Sequence, residues 1–174
     1  MKIFTIGHST WAIDDFIDIL KEYEISLLVD VRSIPGSRYN PQFNMEELEK
    51  SLNDNNIGYI HLESLGGFRD PVPNSVNTGW RNKRFQGYAD YMETKQFLNG
   101  LNVLIKLAKK ETTVIMCSEA VPWRCHRSLI ADELIIRGIS VYDIYNIDTI
   151  KKHKLTLWAD VDGLNITYPK NDTS

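Results

Sequence analysis

The chain has only two cysteines among its 174 residues, too few for the disulfide framework on which small secreted domains depend, so both are expected to be thiols. No apolar run approaches the ~18 residues of a membrane-spanning helix, which argues against a membrane partner. Charge of one sign is not in excess: 20 Lys and Arg face 23 Asp and Glu, for a net charge of −3. No global basic field therefore marks the protein as a binder of extended duplex nucleic acid. The opening run Met1–Gly7 holds one lysine and is too short for a signal peptide, and the expected compartment is cytoplasmic. Repeats, low-complexity tracts and interdomain linkers are lacking as well, so residues 1–174 read as one domain with its own core.

What is there alternates between two periodicities. Lys2–Ile6 reads as a strand, and residues 11–23 carry a helical stripe at Ile13, Phe16, Ile17, Leu20 and Tyr23. Ser26–Val31 is an apolar run broken only by Asp30, as a buried parallel strand would be. Asn44 is placed to cap a helix from Met45 to about Asn53, and Gly58–Leu62 is a further strand. Residues 63–87 lack periodicity and form a long irregular segment, a candidate lid. A helical region follows from about Tyr88 to Lys109, with a break expected near Asn99-Gly100. Then come a strand over Thr112–Met116, a helix over Ser128–Arg137 stopped by Gly138, a strand over Ser140–Tyr145 and a small edge element within 155–168. This order predicts an α/β fold: a single-domain, three-layer αβα sandwich with a largely parallel central sheet. The loops that end its strands then converge on one rim.

The richest of these loops is Cys117-Ser-Glu-Ala-Val-Pro-Trp-Arg-Cys-His-Arg127, which holds both cysteines, Glu119, Arg124, His126 and Arg127. A mere connection would draw on Gly, Ser, Asn and Asp. Two other loops reach the same rim: Gly7-His8-Ser9, and Asp30 to Arg38 with Arg32 and Ser37.

These segments carry a resemblance. Thr5-Ile6-Gly7-His8-Ser9, Leu28-Val29-Asp30-Val31-Arg32, Phe85 to Met92, Met116 to Arg127, Ile130-Ala131-Asp132, His153 to Thr156 and Thr167-Tyr168-Pro169 together look like the DUF488 family. That resemblance spans nearly the whole chain and implies a fold and a set of recurring residues, but no established reaction. The layout of Leu28–Arg32 and of Val114–Cys117 running into a helix is also similar to rhodanese domains and dual-specificity phosphatases. Those place a nucleophilic cysteine at a strand end, before an anion-cradling helix N-terminus. The spacing departs from the phosphatase pattern: six residues separate Cys117 from Arg124 and nine separate it from Arg127, and the loop contains Pro122 but no glycine.

Each candidate has two readings. Cys117 and Cys125 are nucleophiles or buried structural residues, with Cys125 favoured by the cations around it. Glu119 is an acid–base group or the ion-pair partner of Arg124 or Arg127. His126 and His8 position substrate or move a proton, or else make local hydrogen bonds. Arg127 is the leading candidate for anion contact, supported by Arg124. Asp30 and Arg32 lie two apart on a strand and so face the same way, toward a ligand or as a structural pair. Ser9, Ser37 and Arg38 sit in turns that offer backbone N–H groups to an anion, although Ser9 also suits a helix cap. No cofactor is expected. Zinc is considered because Cys117, Cys125, His126 and His8 are all potential ligands, but the spacing is not that of a structural zinc site.

A second thread runs through Gly79 to Tyr88, where Arg81, Lys83 and Arg84 interleave with Trp80, Phe85 and Tyr88. Such a mixture suits base stacking and phosphate neutralisation, with Arg69, Trp123 and Tyr39 as extensions. The competing reading is that these aromatics pin a long loop to the core. The expected function is an enzyme, a hydrolase or transferase, acting on a phosphate-bearing small molecule or a short nucleic-acid segment. The alternatives are a non-catalytic nucleotide or nucleic-acid binding module, and rhodanese-like sulfur transfer.

Overall fold

In the computed structural model, which describes residues 1–171, six strands form one sheet in the order β3-β2-β4-β1-β5-β6. Strands β1 (Lys2–Gly7), β2 (Leu27–Asp30), β3 (Gly58–His61), β4 (Thr113–Cys117) and β5 (Ser140–Ile144) are parallel to their neighbours. The edge strand β6 (Ile150–Lys152) is antiparallel to β5. Successive side chains on a strand point to opposite faces, and this alternation builds two cores. Phe4, Ile6, Leu28, Val114 and Met116 pack under α1 (Ile13–Glu22) and α2 (Met45–Asn53). Ile3, Val29, Ile115 and Cys117 face α3 (Lys83–Tyr91), α4 (Lys95–Ala108) and α5 (Arg127–Ile136). The result is the αβα sandwich expected from the alternation.

The helical region after residue 87 breaks elsewhere than expected. α3 ends at Tyr91, and Thr94 caps α4 by accepting from the Phe97 amide, whereas Gly100 lies inside α4, buried against Ser64. A side-chain cap outweighed the weak helix propensity of Asn-Gly. α3 also begins within the segment expected to be irregular. Asn44 stands at the α2 N-cap position, yet its side chain accepts from the Ser37 amide instead. The C-terminal part forms a separate hairpin, β7 (Asp160–Asp162) with β8 (Asn165–Thr167). Among the described residues, no helix is long and apolar enough to cross a membrane.

Pairing continues past the strand ends. The His8 amide donates to the Cys117 carbonyl at 2.9 Å, Ser9 N–H to Ser118 O at 3.0 Å, and Val31 N–H to Met116 O at 3.0 Å. The three loops are thus held against one another at the carboxyl rim, where open α/β sheets bind ligands.

Candidate active site

A cleft of about 530 Å³ opens at this rim. One wall is the 117–126 loop, with Cys117, Ser118, Glu119, Arg124, Cys125 and His126; Arg32, Ser33, Ile34 and Gly36 form the second; Gly67, Phe68, Arg84 and Phe85 close it. A smaller hollow of about 410 Å³ adjoins it through Gly36, Ser118 and Glu119, and adds His8, Ser9 and Ser37.

The two cysteines, expected to be separate thiols, are paired. β4 delivers Cys117, and a short helical turn at Pro122–Arg124 folds the loop back so that Cys125, between that turn and the His126 N-cap of α5, comes against it. Their Cα atoms lie 7.1 Å apart and the sulfurs are joined in a disulfide. The Arg127 amide, at the helix N-terminus, donates to Cys125 Sγ at 3.4 Å. His126 Nε2 donates to the Val31 carbonyl at 2.8 Å, which leaves Nδ1 as the unprotonated nitrogen, 3.6 Å from Cys125 Sγ. Burial holds His126 at a pKa of about 4, so the ring is neutral at physiological pH. Gly67 packs over it; a Cβ there would meet Nδ1 at 2.5 Å.

Arg127 is corrected most. The side chain expected to reach a ligand is fully buried. Its Nη1 donates to Cys117 Sγ at 2.6 Å and to Glu119 O at 2.7 Å, and Nη2 donates to Ala120 O at 3.4 Å. Nε is buried with no partner, and no carboxylate pairs with the guanidinium among the described residues. Burial, offset in part by Asp143, Tyr145 and Glu119 at longer range, lowers its pKa to about 10, so it remains a cation. Helix α5 is buried almost all round, its polar residues Ser128, Asp132 and Glu133 included, and its first residue points inward, under the strand ends.

The other candidates divide clearly. Asp30 accepts from the Arg32 backbone, Nε and Nη2, and from Tyr59 OH at 2.6 Å, a buried structural pair. Arg32 Nη1 donates to His8 Nε2 at 3.3 Å, while His8 Nδ1 donates to Ser9 O at 2.8 Å. With both nitrogens engaged, and burial lowering its pKa to about 4, His8 is neutral and positioned as a brace rather than an acid–base group. Ser37 Oγ accepts from the Asn40 amide. Arg38 and Arg81 are exposed outside the cleft wall. Tyr88 is core: it is fully buried, donates to Leu65 O at 2.8 Å and packs on His126. Trp80 packs among Phe85, Trp158 and Tyr168, away from the cleft. Arg69 lies over the Tyr91 ring at 3.6 Å. The exposed side chains Glu119 and Arg124 make no ion pair among the described residues, and Arg84 lies over Phe68 at 5.1 Å. Ser33, in the Pro-Gly loop expected to offer N–H groups to an anion, and Phe85, from the stretch of interleaved aromatics and cations, do line the cleft, whereas Phe68 is a cleft residue that sequence reasoning missed, with Gly66-Gly67 before it as the available signal. The 63–87 segment is pinned by Asp90, which accepts from Val72 N, Ser75 Oγ and Asn77 Nδ2. Among the described residues, no group of three His, Cys, Asp or Glu side chains is placed to hold a metal ion.

Gly7 lets the rim close. A Cβ on it would overlap the Glu119 carbonyl and stand 2.8 Å from Arg127 Nη1. Gly7→Ala is expected to cost on the order of 1–3 kcal/mol, as overpacking does. Gly36→Ala, whose Cβ meets nothing nearer than Asn44 Oδ1 at 3.8 Å, should stay within about 0.5 kcal/mol. Urea unfolding of both variants checks the pair, and equal losses would refute the close-approach argument.

No curated protein and no solved structure matches the chain. A family model does: that of DUF488, a domain of unknown function, matches residues 12–134. The matched span holds both cysteines, Arg32, Glu119, His126 and Arg127, whereas His8 and Ser9 precede it. Extending over most of the chain and all of the cysteine loop, the match establishes that the chain belongs to the DUF488 family.

Proposed function

We propose that the protein is an enzyme that uses a Cys117 thiolate on a phosphate-bearing, nucleotide-class substrate seated in the cleft. The observation that carries this reading is the buried Arg127 guanidinium, which lacks a carboxylate partner among the described residues and lies 2.6 Å from Cys117 Sγ. A buried cation is costly unless compensated. Once the disulfide is reduced, a thiolate on Cys117 supplies that compensation, and neighbouring cations lower a thiol pKa from about 8.5 into the physiological range. Reduction takes two electrons and two protons from a dithiol, which itself becomes a disulfide. Cys117 then attacks the electrophilic atom of the substrate, and the bond to the leaving group breaks as the bond to sulfur forms. The Cys125 thiol, beside His126 Nδ1, is the adjacent proton source. Arg124 and Arg84 supply cations for phosphate, and Phe68 and Phe85 supply apolar surface for a ring. The cleft volume falls in the range of small-molecule sites.

The paired sulfurs favour a second reading, sulfur transfer. A persulfide on Cys117 would be resolved when Cys125 attacks the Cys117 sulfur, closing the disulfide and expelling hydrosulfide.

The test uses protein reduced with dithiothreitol. Mass spectrometry follows alkylation of each cysteine against pH, and calorimetry follows titration with AMP and with pyrophosphate. Half-alkylation of Cys117 below pH 8.5, with ligand binding weakened about tenfold in an Arg84→Ala, Arg124→Ala double variant, is expected. Ligand binding without a low-pH thiolate would reassign the cleft to a binding module. Neither signal would reject both readings.

A further inference from the structure

A second concavity, of about 970 Å³, lies across the Pro122–Arg124 turn from the cleft. Arg124 faces the cleft, whereas Pro122 and Trp123 line this groove. Trp123 is 63% exposed, Trp158 39% and Leu157 96%, which is unusual for side chains of this size. The Trp123 and Tyr145 rings lie 6.4 Å apart. Lys151, Lys152 and Lys154, all exposed, stand along the same groove, and Lys151 Nζ is 5.2 Å from the Tyr145 ring centroid.

We infer that this groove binds single-stranded nucleic acid, with bases on Trp123 and Trp158 and the phosphate backbone on the three lysines. The chemistry is that of sequence-tolerant strand binding, in which aromatic faces accept any base and cations track the phosphates. The acidic groups at the groove floor do not cancel the lysines. Asp143 accepts from Thr5 Oγ1 and His153 Nδ1, and His153 also donates to Asp132, so the imidazolium offsets one of the two carboxylates and a single negative charge remains beneath three lysines. Lysines on an edge strand also discourage edge-to-edge pairing. That accounts for Lys151 and Lys152 but not for Lys154, beyond the strand, or for the exposed tryptophans. A lipid surface would need a protruding apolar face, and this one is concave. The groove is separate from the thiol chemistry proposed above, and the two fail independently.

The experiment is fluorescence anisotropy of a labelled single-stranded oligonucleotide, about a dozen nucleotides long, with the oxidised protein and with the reduced protein. Micromolar binding at low salt is expected in both redox forms, because no thiolate is involved. Trp123→Ala should weaken it roughly tenfold. A Lys151→Glu, Lys152→Glu, Lys154→Glu variant should abolish it, and neutralising these contacts should account for most of the salt slope. Circular dichroism confirms that the variants are folded. No binding would overturn the inference, as would binding indifferent to Trp123→Ala or equally tight for the duplex. Adsorption to phosphatidylglycerol vesicles in place of the oligonucleotide would also overturn it, assigning the groove to a membrane surface.

Discussion

Arg127→Met is expected to shift the Cys117–Cys125 dithiol–disulfide equilibrium toward the disulfide by roughly ten- to a hundredfold, or about 30–60 mV for a two-electron couple. The guanidinium lies 2.6 Å from Cys117 Sγ, so on the proposed reading it would stabilise a thiolate there once the pair is reduced. In the disulfide both sulfurs are neutral, and among the described residues the same cation is left with the Glu119 and Ala120 carbonyls. Asp143, the first-named of the acidic groups that act on it, is already bonded to Thr5 and His153. Arginine therefore favours the reduced pair, and an apolar side chain of similar length removes that preference. The stability effect carries opposite expectations for the two states. The reduced variant loses a buried ion pair, a loss of about 3–5 kcal/mol when one partner is removed. The oxidised variant sheds an uncompensated buried cation and should be nearly as stable as the parent, or more so. Redox titration against dithiothreitol, with urea unfolding of each form, reads both. An unchanged midpoint would mean that Arg127 is a brace for the loop and has no electrostatic part in the thiol chemistry.

The same residue illustrates what could be read in the chain and what could not. Strand and helix periodicities were local signals, and so the layer architecture, the parallel sheet and the convergence of three loops were legible. The inward turn of Arg127 depends on the face of α5 that meets the strand ends. Its signal was weak, because Ser128–Leu134 mixes Leu129, Ile130, Ala131 and Leu134 with Ser128, Asp132 and Glu133 and so marks no single inward face. Cysteine pairing across eight positions was not legible, since it arises from the fold-back at Pro122–Arg124. His8 looked like a site residue because it follows Gly7 in a strand-end turn, on the rim where open α/β sheets bind ligands. Its actual partners, Arg32 and the stacked Phe43 ring at 4.3 Å, come from the loop after β2 and from the short helical turn at Pro41–Phe43. The helix break at residues 92–94 turned on the Thr94 side chain, which accepts from the Phe97 amide and starts α4 there.

The strongest structural determinant outside the cleft was even less visible, because its members lie far apart in the chain. Asp132, fully buried on α5, accepts from His153 Nε2 at 3.0 Å, Thr156 N at 3.2 Å, Thr156 Oγ1 at 2.7 Å and Tyr168 OH at 2.8 Å. His153 is held from the other side by Asp143. This cluster fastens residues 153–168 to the core, as does Asn77, which accepts from the Tyr168 amide. Asp132→Ala leaves four donors, one of them on the buried His153 imidazolium, without that acceptor, and a loss of about 3–5 kcal/mol is expected. The pH dependence identifies the cause. Burial alone would lower the His153 pKa, but its bonds to Asp132 and Asp143 outweigh that and raise it to about 9. A folded-state pKa above the unfolded value of 6.5 contributes stability that is complete below pH 6.5 and lost as pH rises through 9. For a side chain only 8% exposed, the loss is on the order of 3 kcal/mol. Urea unfolding at pH 6 and pH 9.5 should therefore show the parent losing stability across that interval, with a much flatter profile for Asp132→Asn, which keeps the shape but not the charge. Parallel profiles for the two proteins would place the pH dependence in another group and leave Asp132 as a neutral hydrogen-bond acceptor. Flattening would show that one buried charge, on the helix whose first turn carries Arg127, also secures the chain that forms the lysine groove.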